Sequence, residues 1–189
     1  MKLKKTYLFI RFLLLLKWFI TKVYSYDVVM KSDDDMSKLY LSCDEINKTM
    51  DYHEIRLLFN DEEDYFLECL GHNHFNVYND LMFLSEKGAV LNYGSDYKSS
   101  MKFHILPGKG SDMKEIYFKN LTFMDLDGHS MKYHLFHFSV ISDKNDYYIE
   151  FENCTFINIT GYLIQMEITY KYVVYDNTPQ VVFKNCTFS

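Results

Sequence analysis

Proline is almost absent from this chain. It has 2 Pro and 7 Gly in 189 residues, which excludes a collagen-like chain and a Pro/Gly-rich disordered one. Arginine occurs only at Arg11 and Arg56. Basic charge is scarce beyond the first stretch. Six of the 20 Lys+Arg fall within residues 1–25, which hold no acid, leaving 14 basic against 26 acidic residues and a net charge of −12. A chain without a basic face is not built for nucleic acid, and it is repelled by anionic membrane surfaces. The acid excess reads as a solvated surface that keeps the protein dispersed.

Aromatic residues are plentiful, with 17 Tyr and 16 Phe, and they recur in register. Ile149-Glu150-Phe151-Glu152-Asn153-Cys154-Thr155-Phe156 is matched upstream by Ile116-Tyr117-Phe118-Lys119-Asn120-Leu121-Thr122-Phe123. Downstream it is matched by Val181-Val182-Phe183-Lys184-Asn185-Cys186-Thr187-Phe188. Asn120 precedes Asn153 by 33 residues, and Asn153 precedes Asn185 by 32. A fixed period of this length marks a solenoid.

Within each unit, apolar and polar residues alternate with the period of a strand. The step from Phe151 to Cys154 is odd, so a straight strand would place the two on opposite faces. One residue must turn to restore parity. Asn153 is the candidate, because Asn tolerates the left-handed backbone better than any residue but Gly. Asn120 and Asn185 hold the same place. The unit therefore predicts strand, Asn corner, strand. Stacked copies give inward columns of Phe118/Phe151/Phe183, Leu121/Cys154/Cys186 and Phe123/Phe156/Phe188, and a column of corner amides turned inward and bonded along the stack.

Residues 1–25 begin with Met1-Lys2-Leu3-Lys4-Lys5 and continue through an apolar run, Tyr7 to Ile20. This pattern predicts a secretory signal helix cut between Ser25 and Tyr26. An uncleaved anchor is the rival reading. The run is short of the ~20 residues a span requires, and Arg11 and Lys17 interrupt it. Residues 26–64 are expected to form an N-terminal cap and first strand, with Leu39, Cys43, Ile46 and Met50 at helical spacing and Glu54–Phe59 as the strand. Residues 65–189 are expected to form the coils, with a turn at Lys87-Gly88 inside the segment Asp80 to Gly94.

Candidate chemistry is sparse. His72 and His74 lack a Cys or carboxylate at ligand spacing and read as loop residues, so no metal and no cofactor is expected. Asp61-Glu62-Glu63-Asp64 lacks the Gly and ligand spacing of a calcium loop. Asp125 and Asp127 alternate and so would share a strand face, as paired glycosidase carboxylates do, but the next coil carries Asn158 and Thr160 there. Cys43, Cys69, Cys154 and Cys186 suit disulfides in a secreted chain. Leu121 stands where Cys154 and Cys186 do, which favours a small buried apolar slot with free thiols. Among five sequons, Asn47 and Asn158 are the expected glycan acceptors, because the corner argument takes Asn120, Asn153 and Asn185 out of reach.

The Phe-x-Asn-x-Thr-Phe units resemble those of right-handed parallel β-helix proteins of the pectate-lyase-like superfamily. Leu81 to Tyr93 resembles that superfamily's N-terminal coil. The composition is similar to that of secreted and surface β-helix proteins of anaerobic gut fungi. The resemblance covers roughly residues 51–189 and implies an all-β, right-handed parallel β-helix with a short helical cap. It also implies that Ser189, directly after a repeat strand, ends a fragment of a longer chain. Enzymes of this superfamily use an Arg or Lys base, or clustered Asp, on acidic polysaccharides. The only Arg beyond the signal is Arg56, outside the repeats, and no second acidic layer exists. The expectation is a non-catalytic module at the cell surface that recognises carbohydrate or protein, with Tyr170, Tyr172 and Tyr175 as aromatic platforms. A polysaccharide-cleaving enzyme or its degenerate relative, and a structural spacer, are the alternatives.

Overall fold

A computed structural model describes residues 25–32, 54–61, 63–67, 74–94, 100–106, 113–127, 134–142, 147–170 and 179–189. The expected signal helix, the cap helix around Leu39–Met50, Asn47, Cys43, Cys69, Tyr172 and Tyr175 lie outside these residues. So does the Tyr170 side chain. Among the described residues there is no helix, and so no helix long and apolar enough to cross a membrane.

The fold is a parallel β-solenoid. Thirteen strands are described: β1 (Ser25–Met30), β2 (Glu54–Phe59), β3 (Asp64–Phe66), β4 (Phe75–Val77), β5 (Asp80–Asn92), β6 (Met101–Ile105), β7 (Lys114–Met124), β8 (His134–Ser142), β9 (Tyr147–Glu152), β10 (Thr155–Ile157), β11 (Tyr162–Tyr170), β12 (Val181–Lys184) and β13 (Thr187–Phe188). Nine of them make one long sheet, in which β1, β2, β5, β7, β10 and β13 follow in order, with β9 and β12 continuing the half before the corner. The facing sheet is β4-β6-β8-β11. Every described pairing is parallel. In the long sheet Phe83, Phe118, Phe151 and Phe183 share one register column.

That register explains the core. Phe83, Phe118, Phe151 and Phe183 stack at centroid spacings of 4.8, 4.7 and 4.8 Å, with planes within 20° of parallel. Phe75, Phe103 and Phe138 form a matching column on the facing sheet at 5.1 and 5.0 Å. Across the interior the columns meet edge to face, as Phe83 with Phe103 at 5.9 Å and 81°. Offset stacking within a column and edge contacts between columns both suit the ring quadrupole. Phe118, Phe123, Phe136, Phe138, Phe151 and Cys154 are fully enclosed. The last rung is different: Phe183 and Phe188 continue the columns but are 37% and 57% exposed, and Cys186 is half-buried, so this part of the stacked core is not covered.

Asn120, Asn153 and Asn185 adopt φ of 54°, 53° and 53°, which is the parity-restoring turn. Their side chains do not face inward. Asn153 and Asn185 are exposed and Asn120 is half-buried, because a left-handed residue between two inward-facing neighbours swings its side chain out of the corner. The amides instead line the outside of the bend. Asn153 Nδ2 donates to Asn120 Oδ1 at 3.2 Å, and Asn120 Nδ2 donates to the carbonyls of Ser85 and Glu86 at 2.9 Å each.

A second left-handed corner follows, at Asp125 (φ 61°) and Asn158 (φ 54°). Asn158 Nδ2 donates to Asp125 Oδ1 at 2.9 Å. Thr160 Oγ1 donates to Asp127 Oδ1 at 3.3 Å. The alternation that would put Asp125 and Asp127 on one strand face is broken by this turn, which leaves Leu126 buried between them.

Three further differences concern local structure. The turn expected at Lys87-Gly88 does not interrupt the strand: β5 runs through it, with a register shift between Leu84 and Ala89 and Gly88 at φ 142°. Residues 25–30 form a strand, paired with β2 from Ser25 opposite Glu54, where the sequence shows no repeat. The expected boundary between residues 64 and 65 falls inside β3.

His134, at the start of β8, is 9% exposed. Burial, followed by the neighbouring His137 and Lys102, pushes its pKa down from 6.5 to about 4, with Glu167 opposing. Its unfolded form takes up a proton near 6.5 while its folded form stays neutral. Its stabilising contribution is therefore complete above that pH and is lost as pH falls from about 6.5 to 4. At 1.36 kcal/mol per pKa unit the expected loss is roughly 3 kcal/mol. Urea midpoints at pH 7.5 and 4.5 should fall less in His134→Gln than in the parent protein; an equal fall in both would assign the acid sensitivity elsewhere.

Candidate functional site

The outer face of the long sheet is the most differentiated surface of the described molecule. Its rows follow from register. Arg56, Met82, Tyr117, Glu150 and Val182 align across β2, β5, β7, β9 and β12. Leu58, Leu84, Lys119, Glu152 and Lys184 form the next row. Both rows alternate with the inward Phe column, so every polar side chain here points away from the core.

In the first half of this face, Arg56 pairs with Asp27 and Glu54, and the part nearer the corner is apolar and concave. A groove of about 560 Å³ is floored by Val29, Leu58 and Leu84 and walled by Asp61, Lys119 and Asn120. Val29 is 59% exposed. The wall is rigid: Asp61 Oδ1 accepts from the Lys87 N–H and the Ser85 hydroxyl, both at 2.8 Å. These two bonds, the first above all, hold the Asp61 carboxyl below its usual range. The acidic run that begins at Asp61 thus contributes an anchored carboxylate.

The other half carries a network. Lys119 Nζ lies 3.2 Å from Glu152 Oε1, and Tyr117 donates its hydroxyl to Glu152 Oε2. Lys184 Nζ donates to Glu150 Oε2 at 2.8 Å, and the Tyr148 hydroxyl donates to the same oxygen at 2.6 Å. Glu150 is 6% exposed. Burial alone would raise its pKa, but the Lys184 and Tyr148 bonds outweigh that and hold it ionised below the usual range. Glu115, diagonal to it, shifts the other way, pushed up by burial and then by Asp80, Glu150 and Glu54. Fixed carboxylates, ammonium groups and half-buried tyrosines give this face acceptors, donors and apolar ring edges side by side.

The sequence-derived candidates fall elsewhere. Asp125, Asp127 and Asn158 are corner residues in bonds with one another's coils, and the Asn158 amide proposed to carry a glycan is already a donor to Asp125. Cys154 and Cys186 are free thiols bonded to the carbonyls of Phe118 and Phe151 at 3.6 and 3.4 Å. Burial pushes the Cys154 thiol up to about 12, which keeps it protonated and unreactive. Among the described residues no group of three or more His, Cys, Asp or Glu is arranged to hold a metal ion. The groove escaped the sequence reading because its floor comes from strands with no repeat, β1 and β2. The one signal for it was the outward Leu58 and Leu84 in otherwise alternating strands.

Comparison of the chain with protein-family models, with curated proteins and with solved structures finds no match.

Proposed function

We propose that this protein is a non-catalytic, secreted or cell-surface recognition module built as a right-handed parallel β-helix of the pectate-lyase-like kind, and that it binds an extended neutral polysaccharide along the outer face of its long sheet. The observation that carries the reading is the row structure of that face. An apolar groove leads into Tyr117, Tyr148, Lys119, Glu150, Glu152 and Lys184, which set donors and acceptors side by side on three successive strands, β7, β9 and β12. An extended ligand can lie across such a surface, and a solenoid offers the length for it. Sugars need donors and acceptors for hydroxyls together with apolar surface for ring faces. The net charge of −12 beyond Ser25 favours a neutral polymer over a uronic one.

Affinity electrophoresis of the protein through gels holding soluble neutral or acidic polysaccharides tests this. At least one neutral polymer should retard it, and Lys119→Ala should weaken that binding about tenfold, the loss typical of a hydrogen bond to a charged group. Absence of retardation by every polymer would overturn the reading. Shortening of the polymer, or release of unsaturated sugars, would replace it with a catalytic one.

A further inference from the structure

The facing sheet carries histidines on its outer surface that the sequence does not connect. His74 precedes β4, His104 lies in β6 and His137 in β8. Register aligns Asn76 with His104 and Lys102 with His137. His104 is therefore diagonal to both other histidines, and the next step across, from His137, reaches Glu167 on β11 with Nε2 at 3.4 Å from Oε1. The three imidazoles and the carboxylate form a zigzag across four strands.

The first step of the zigzag is the closest. The rings of His74 and His104 have centroids 4.2 Å apart and planes inclined by 39°. Among the described residues neither ring has a hydrogen-bond partner. Both are half-buried on a face open to solvent. Two imidazoles in contact cannot both be charged without repulsion. Burial, then His74 and His137, push the pKa of His104 below its usual value. Two adjacent imidazoles with open ring nitrogens are a ligand pair for borderline divalent ions, which unprotonated imidazole binds through bonds of about 2.0–2.1 Å. A shared cation would sit between the two rings after a small rotation of each, with water filling its other positions. His137 lies one step further on, beside Glu167, and is not needed as a ligand.

We infer that His74 and His104 form a two-histidine site for one late first-row divalent ion such as Cu²⁺, Ni²⁺ or Zn²⁺, on the side of the solenoid opposite the polysaccharide face. The sequence pairs His74 with His72, which lies outside the described residues; the fold pairs it with His104, 30 residues on.

Isothermal titration of the full chain with Cu²⁺ and with Zn²⁺ at pH 7.5 tests the site, with Ca²⁺ as the oxygen-preferring control. The expected result is saturable binding of one ion per chain, unaffected by Ca²⁺. His104→Gln and His74→Gln should each weaken it at least tenfold, while His137→Gln should keep it. Binding should weaken as the pH is lowered, because the ligand nitrogens must be unprotonated. Circular dichroism of each variant confirms that the fold persists. Cu²⁺ should also broaden the ring proton signals of His74 and His104 before those of any other histidine. Absence of saturable binding, or full binding retained in a folded His104→Gln, would overturn the site; the latter would place any ion on His74 with residues outside the sheet.

Discussion

Replacing Phe118 with Ala should destabilise the solenoid by about 3–5 kcal/mol, the usual cost of emptying an aromatic site in a core. Phe118 is 0% exposed and is gripped from both sides, by Phe83 at 4.8 Å and Phe151 at 4.7 Å, and from across the interior by Phe103 at 6.0 Å. The void cannot close by local collapse. Its upper and lower neighbours are pinned by the backbone ladders of β5 and β9, and close-packed interiors relax only partly. Urea unfolding is the measurement. The midpoint should drop while the slope stays the same, since the surface exposed on unfolding changes little. The same change at Phe183, 37% exposed on the last rung, should cost well under half as much. Equal losses at the two positions would mean that the column contributes through local strand propensity and not through packing.

The corner asparagines should be the next most sensitive positions, and the order of substitutions is diagnostic. Asn120→Val is expected to cost about 2–4 kcal/mol. Roughly 1–2 kcal/mol comes from forcing an L-residue with a branched Cβ into φ near 54°. The rest comes from the two amide bonds to Ser85 and Glu86 and the one accepted from Asn153, at about 0.5–1.5 kcal/mol each and partly replaced by water. Asn120→Gly accepts the backbone angle but loses the amide ladder, so its cost should be clearly smaller. Thermal or urea unfolding should therefore rank parent above Gly above Ala above Val. Gly as costly as Val would show that the ladder, and not the backbone angle, decides the corner.

The part of the fold legible in the sequence is the part where the same chemical problem recurs. An inward aromatic, an odd step and a residue tolerant of positive φ reappear at three successive passes of the long sheet, so Phe118, Phe151 and Phe183 and their asparagines announce themselves. The facing sheet has no such constraint. Its strands need only inward apolar residues at alternate positions, and Met101–Ile105, His134–Ser142 and Tyr162–Tyr170 share no motif. The second corner was hidden for a related reason. Asp125 and Asn158 perform the same turn with different side chains, and Asn158 sits in a sequon that suggested a sugar instead. Strand β1 was obscured by its position just after the apolar run Tyr7 to Ile20. The polar rows of the candidate face were unreadable because they arise between coils. Tyr117 and Glu152 are 35 residues apart and meet only after stacking.

The corner-to-corner distance of 33 residues from Asn120 to Asn153 has a consequence for how such a protein can change over generations. One coil adds about 4.8 Å of axial length, where the same chain fully extended would span on the order of 110 Å. Length is thus obtained slowly, but in interchangeable units. A duplication or deletion that runs from one corner to the equivalent residue of the next leaves every ring above and below with a partner of the same shape. An event that slips the paired strands by one residue, with no loop to absorb it, throws each inward residue to the outside. Whole-coil gain and loss is therefore the one large rearrangement this architecture tolerates, and reach becomes a property that can be adjusted without redesigning the interior.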